Sequence, residues 1–391
     1  MKIIRLWRLA SISVCVGMLL TLTGCWDRRE INDVAFVLAS AIDKENDSFR
    51  VSVLIPLPGN MGSMGGGGGS GGQKPFAIKT ETGKTVREAV SKLQFRLPRH
   101  LFFGHRRVII IGEDLARTEG AKTVIDALTR TPENRLTAYI AITKGKAVDV
   151  LNADTRLERF SAESMRELLQ SEASVRISVK DIISKIIAVG EDAFFPYIEK
   201  VKTRVKGSEA EDVLIEGFAM THDGKMTGVA KGSTAIGVRL LNQQFRKYDE
   251  TFNDQGNYLT VSINEAKISI KPIIQNDNIT FRIHSKVKVS VNEDRNLNRN
   301  YDDYEQRKQI EQLVTKRVVE DIKLALDSMQ HANCDAVGFG LHVYRAYPQI
   351  WTKQYRNEWD TIFPKIKFEV SATANLYRFG MTSENLGRKD Q

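Results

Sequence analysis

Apolar and polar residues follow one another in two rhythms along this chain, and the change of rhythm divides it. Residues 34–43 (VAFVLASAID) and 49–57 (FRVSVLIPL) are apolar runs rich in Val, Leu and Ile, which predict two strands. The polar stretch 44–48 between them predicts a hairpin loop, and residues 76–81 predict a third strand. Thr85 and Glu88 have capping-box spacing, and Val86, Ala89, Val90, Leu93 and Leu97 follow at helical period. Residues 107–111 (RVIII) predict a buried strand ending at Gly112; a helix over 119–129 and a strand over 136–143 follow. Strand, helix, strand, helix, strand is the order of an α/β unit. Two more helices are predicted, over 162–170 and 179–189, the second with Ser178 as N-cap and Asp181 three positions on.

From about residue 196 the rhythm becomes one of alternation. Residues 197–206, 212–220 and 225–229 predict strands, with a turn at 222–225 (HDGK). Residues 257–270 and 278–291 are longer alternating segments; Ile279, Phe281, Ile283, Val287, Val289 and Val291 keep period two, as half-buried antiparallel strands do. After a polar, Asn-rich loop at 292–303, a long helix is predicted over 304–330. Its apolar stripe is Ile310, Leu313, Val314, Val318, Ile322, Ala325 and Met329. A shorter helix over 349–359 and a strand over 365–374 close the chain. The expected class is α+β: a mixed α/β N-terminal region, 25–195, then an antiparallel-sheet region, 196–391, with one long helix and a further split allowed near 245–256. Segments beginning at 34 and at 212 remain candidates to pair within one domain.

The first residues carry a different signal. Lys2, Arg5 and Arg8 precede an uncharged stretch of 14 residues, 9–22, which ends in Leu22-Thr23-Gly24-Cys25. A charged start, a short apolar middle and small residues before a cut describe a secretory signal peptide. The stretch is shorter than the ~20 residues that a permanent membrane-spanning helix needs. Small residues followed at once by Cys resemble the lipobox of bacterial lipoproteins. That resemblance implies cleavage between Gly24 and Cys25, removal of residues 1–24, and an S-diacylglyceryl, N-acyl Cys25 on the extracytoplasmic face of a membrane. The competing reading is an ordinary signal peptide with an incidental cysteine.

Composition narrows the function. Of three cysteines, Cys15 leaves with the signal and Cys25 carries the lipid, so Cys334 has no partner for an intramolecular disulfide. The chain carries 57 Lys and Arg against 48 Asp and Glu; without its first 24 residues, which hold three basic and no acidic residues, the net charge is +6. That mild excess suits anionic lipid headgroups. Basic and acidic residues alternate without a dense basic run, so nucleic acid is not expected as a partner. The run 61–72 (MGSMGGGGGSGG) holds eight glycines in twelve positions and predicts a flexible loop. It lacks the Gly-Lys-Ser/Thr ending of a phosphate-binding loop.

Catalytic candidates are sparse. The six histidines, at 100, 105, 222, 284, 331 and 342, form no HExxH, and neither CxxC nor Gly-x-Ser-x-Gly occurs. His331, Cys334 and Asp335 are imaginable as a nucleophile site, but a helix end followed by a half-buried thiol explains them more simply. Glu113-Asp114, Glu191-Asp192 and Glu211-Asp212 fall at element boundaries, where acids favour helix starts and turns. No catalytic residue, metal or cofactor is expected. Tyr344, Tyr347, Trp351, Tyr355, Trp359 and Phe363 cluster near the C-terminus, with Pro348 separating the first two from the helix after it. Packing onto the sheet is one account of them. A partner-docking face of Tyr347, Trp351, Tyr355 and Trp359 is the other.

The segment Gly24-Cys25-Trp26-Asp27-Arg28-Arg29-Glu30-Ile31-Asn32-Asp33, entering an apolar strand, resembles the start of the Ger(x)C spore-germination lipoproteins. Trp26, Asp27, Arg28, Glu30, Asn32 and Asp33 carry that resemblance. Residues 105–116 (HRRVIIIGEDLA), 336–340 (AVGFG) with 347–351 (YPQIW), and 359–364 (WDTIFP) are similar to later parts of the same family. The glycine run is a departure, and so is the closing strand, which has a single basic residue, Arg378, before Phe379-Gly380. The resemblance implies a non-enzymatic C subunit of a nutrient germinant receptor, with a mixed α and β fold in several domains. It implies tethering by Cys25 to the inner spore membrane beside membrane-spanning A and B subunits. Two other classes compete. A solute-binding lipoprotein of a transporter needs two similar doubly wound lobes. A spore-wall hydrolase needs a nucleophile or acid pair.

Overall fold

A computed structural model describes residues 30–60, 74–153, 155, 158–205, 208–242, 245–254, 256–276 and 278–380, together with 7 and 11–13. The lipid-anchor position Cys25, the cleavage site, the motif residues Trp26, Asp27 and Arg28, and the glycine run 61–72 lie outside the described residues.

The apolar runs build an eight-stranded mixed sheet. Its strands are β2 (Ala39–Glu45), β3 (Ser48–Pro56), β4 (Phe76–Gly83), β6 (Val108–Gly112), β7 (Tyr139–Thr143), β8 (Phe194–Val205), β9 (Ser208–His222) and β10 (Lys225–Lys231), in the order β10-β9-β8-β7-β6-β2-β3-β4. β1 (Val34–Phe36) stands apart and pairs in parallel with β5 (His100–Phe102). The centre, β2-β6-β7-β8, is parallel and covered on both faces, and its middle strand β6 is buried and apolar along its whole length. Period two separates the faces. Ile109 and Ile111 join a core with Val124, Ile125 and Leu128 of a helix over Ala121–Thr129. Val108 and Ile110 face the opposite core, built from Ala147, Val150 and Leu151 and from Met165 and Leu169. The helices here are α1 (Val86–Phe95), α2 (Glu113–Thr118), α3 (Ala121–Thr129), α4 (Ala147–Leu151), α5 (Ser161–Gln170) and α6 (Val179–Ile187). The predicted caps form: Thr85 Oγ1 accepts from Glu88 N at 3.0 Å, and Ser178 with Asp181 makes a capping box.

A second, antiparallel-rich sheet has the order β11-β12-β13-β14, from β11 (Tyr248–Asp254), β12 (Asn257–Gln275), β13 (Asn278–Asp294) and β14 (Lys367–Arg378). α7 (Gly232–Leu241) links the sheets. α8 (Tyr304–His331) buries Ile310, Val314, Val318, Ile322, Ala325 and Met329, so the predicted stripe is the face it packs. The core on the Ile109 and Ile111 face of the first sheet continues into that of the second sheet.

Three expectations differ from what is found. Strands 197–206, 212–220 and 225–229, expected to open the second region at 196, complete the first sheet, because β8 continues it in parallel beside β7, with Ile142 opposite Tyr197. Alternation reports half-burial and is blind to which sheet a strand joins. The closing strand β14 runs parallel to β13, because α8 carries the chain back across the sheet before it. The helix over 349–359 is interrupted: a turn Pro348–Ile350 leads into a π-helical turn Trp351–Tyr355, and a separate turn spans Trp359–Ile362.

α7 crosses α8 at Gly237. A Cβ there would overlap the Asp321 carbonyl and lie 2.7 Å from Ala325 Cβ. Gly237→Ala is expected to destabilise the fold by about 2 kcal/mol despite the better helix propensity of Ala, a loss that urea unfolding would measure.

Candidate functional site at the junction of the two sheets

The loop after α8 returns to the first sheet and carries a buried acid. Asp335 accepts hydrogen bonds from the backbone N–H groups of Gly338, Phe339 and Gly340, each at 2.8 Å, and from Trp359 Nε1 at 3.1 Å. The three backbone donors lie at the start of α9 (Phe339–Ala346), where N–H groups lack helical partners. Gly338 there adopts φ 79°. Asp335 also bridges the units: its N–H donates to Asp192 Oδ2 at 3.0 Å, and its carbonyl accepts from Asp192 N at 2.9 Å. Asp192 sits just ahead of β8, and its carboxylate contacts His222 Nδ1 at 3.4 Å. His222 Nε2 lies 3.9 Å from Asp360 Oδ2.

Backbone contact reinforces this latch. A Cβ on Gly190 would stand 2.7 Å from Gly340 Cα and 2.6 Å from the Trp351 ring, so the two segments meet without side chains between them. Lys185 of α6 donates to the Ala336 carbonyl at 3.3 Å and pairs with Glu191. The Cys334 thiol is fully buried, 3.9 Å from the Ala193 carbonyl, and burial pushes it well above its ordinary titration range. His331 is exposed and its Nδ1 contacts the Asp327 carbonyl of its own helix. The imagined nucleophile set is thus an inert thiol and a helix-end histidine.

The aromatic residues divide in the same way. Trp351, Tyr355 and Trp359 are 1%, 5% and 6% exposed, and Tyr347 is half-buried. Trp351 packs on Trp359 at 5.1 Å between ring centres, Trp359 on Phe363 at 6.1 Å, and Phe339 on Phe281 of β13 at 4.9 Å. The π turn, closed by Arg356 N to Trp351 O at 2.9 Å, holds Trp351 and Tyr355 on the inner side together. Packing, the simpler of the two accounts of this cluster, describes these three rings. At the other end of the chain, Glu30, Asn32 and Asp33 are exposed around the short turn Ile31–Asp33, and Asp33 N donates to the Glu30 carbonyl at 3.0 Å.

Sequence reasoning left Asp192 and Asp335 as a boundary acid and a doubtful catalyst. The signal was an Asp set three and five positions before glycines at a helix start, the pattern of a side chain that caps free N–H groups. Among the described residues, no group of three or more His, Cys, Asp or Glu side chains is placed to hold a metal. No described helix is long and apolar enough to cross a membrane.

Two sheets, fastened by a polar latch that spends its donors and acceptors on one another, define a multi-part α+β protein whose centre sets geometry. Comparison with known proteins gives that class a family. Residues 27–200 match the spore germination protein N-terminal domain, and residues 216–380 match the C-terminal domain described as spore germination B3/GerAC-like. YfkR of Bacillus subtilis (strain 168) is 32% identical over 383 residues, 95% of this chain and 97% of its own. Spore germination protein B3 of the same organism is 27% identical over 376 residues, 95% of this chain and 98% of its own; spore germination protein KC is 26% identical over 385 residues, 93% of each. The crystal structure of the GerBC protein has a similar fold, with a TM-score of 0.55 at 22% identity, covering 86% of this chain and 96% of that one. The chain belongs to the Ger(x)C family of spore germination proteins.

Burial pushes the Asp335 carboxyl up to about 7, against the N–H donors that pull it down. The folded chain therefore keeps this proton up to about pH 7, whereas an ordinary carboxyl in the unfolded chain releases it near 4. This contribution to stability is full below about pH 4 and is lost as pH rises to about 7. Asp335→Asn turns an amide N–H₂ toward N–H donors. It is expected to cost about 2 kcal/mol at pH 7.5 and to reduce the fall in thermal midpoint between pH 5 and 7.

Proposed function

We propose that this protein is a lipid-anchored, non-enzymatic subunit of a spore nutrient germinant receptor. In this reading residues 1–24 are removed and Cys25 carries S-diacylglycerol and an N-acyl group. The mature chain is then held on the extracytoplasmic face of the inner spore membrane, where it acts by contact with membrane-spanning A and B subunits. The observation that carries the reading is the match to spore germination proteins along nearly the whole chain. Three features support the details. The Leu22-Thr23-Gly24-Cys25 sequence has the form of a lipidation site. One acyl chain gives only marginal membrane binding, so a stable tether calls for at least two on this residue. The buried latch, with its inert thiol and mutually satisfied carboxylates, suits a protein that works by holding a shape.

Cys25→Ala is expected to lower the share of the protein recovered with spore membranes roughly tenfold or more, the consequence of losing two acyl chains. It should also slow the nutrient response of the spores. Normal membrane recovery together with normal germination in this variant would count against the tether. Mass spectrometry of the N-terminal peptide supplies the direct measurement of acylation.

A further inference from the structure

The first sheet contains a buried cation without a counter-charge. Arg106 lies in the turn between β5 and β6 and is 3% exposed. Its Nη1 donates to Ser40 Oγ at 3.3 Å and its Nη2 to Asn134 Oδ1 at 2.8 Å. Its Cζ lies over the Phe103 ring, 5.2 Å from the centre. Its Nε has no hydrogen-bond partner, and among the described residues no carboxylate pairs with it. A guanidinium has five N–H donors and stays protonated in proteins. Burying it against two neutral acceptors alone leaves a large desolvation cost unmet.

The missing partner has a place to sit. Arg106, Ser40, Asn134 and Thr131 line a cavity of about 30 Å³ beneath α1 and the end of α3. That volume takes about two water-sized groups. The cavity shares Arg87, Val90, Phe103 and Thr131 with a surface groove of about 460 Å³. A neighbouring groove of about 530 Å³ shares Val86, Arg87 and Ala127 with it. Arg87 borders all three spaces, is exposed, and makes no ion pair among the described residues.

We propose that this cleft binds a small aliphatic carboxylate, its two oxygens in the cavity on the Arg106 guanidinium and its apolar tail between α1 and α3. Two oxygens in one plane match the fork of a guanidinium. They also fit the inner end of the cavity beside Arg106. The adjoining grooves, walled by Val90 and Phe103 on one side and by Val86 and Ala127 on the other, suit a short hydrocarbon chain. Arg87 at the mouth adds attraction for an anion. The site does not depend on the proposed tether and stands or falls separately from it.

The test uses the full-length protein purified in detergent, titrated with isovalerate by calorimetry and by thermal unfolding. Saturable binding is expected, with the unfolding midpoint raised by about 5 °C at a hundredfold excess over Kd. Isovaleramide, which has the same shape without the charge, should give no shift. Arg106→Met removes the unpaired charge and keeps an apolar stem. Without ligand its midpoint should equal or exceed that of the parent, and its response to isovalerate should vanish. Arg87→Ala, on the surface, should weaken isovalerate binding about threefold through one lost, partly screened attraction. The proposal is overturned by the absence of saturable binding, or by an equal shift with chloride or isovaleramide. It is equally overturned by a persistent response in Arg106→Met or by an unchanged affinity in Arg87→Ala.

Discussion

The arrangement of the two sheets depends on one buried carboxylate. Asp335 binds the free N–H groups at the start of α9, takes the indole N–H of Trp359, and through its own peptide group exchanges two hydrogen bonds with Asp192. A polar carboxyl group in so apolar a setting is tolerated because donors surround it. The same donors order the loop, the helix start and the indole around it. The contact between Gly190 and Gly340 then leaves no room for the two segments to slide. The aromatic rings from Trp351 to Phe281 carry that fixed point into the second sheet.

The same contacts engage the thiol, acid and imidazole near this loop. Cys334 is closed off behind the latch, and Asp335 has spent its lone pairs on N–H groups of its own loop. His222 and Asp192 face each other across the junction between β9 and the entry to β8. Each side chain restrains a neighbour at the junction of the two sheets.

Much of this was legible in the amino-acid order, because burial and capping are local. Runs such as 107–111 and the stripe on 304–330 name their own structure, and Thr85 and Ser178 name the helix starts. The destination of a strand was not legible. β8, β9 and β10 read as half-buried, and nothing in their alternation distinguishes an extension of the first sheet from the opening of a second. The direction of β14 was hidden likewise, since it depends on where α8 delivers the chain. The aromatic cluster could be counted but its facing could not, because a π turn shifts the period at the residues concerned. Arg106 gave no signal at all: one Arg among many becomes unusual only when Ser40 and Asn134, distant in sequence, are folded around it beside the nearby Phe103 ring.

The strand order of the first sheet has a consequence for how the chain acquires its structure. β6 and β7 come early in the sequence, yet β7 gains its outer neighbour only with β8, and the sheet reaches its edge only with β10, at residue 231 of 391. Until then the growing polypeptide offers an open parallel edge flanked by the apolar faces of 108–111 and 139–142. Pairings so distant along the chain form slowly, and the exposed edge is a hazard for misassociation meanwhile. More than half of the molecule must therefore be made before its first sheet can close, and substitutions far downstream, in β9 or β10, should register as failures of the N-terminal region to mature.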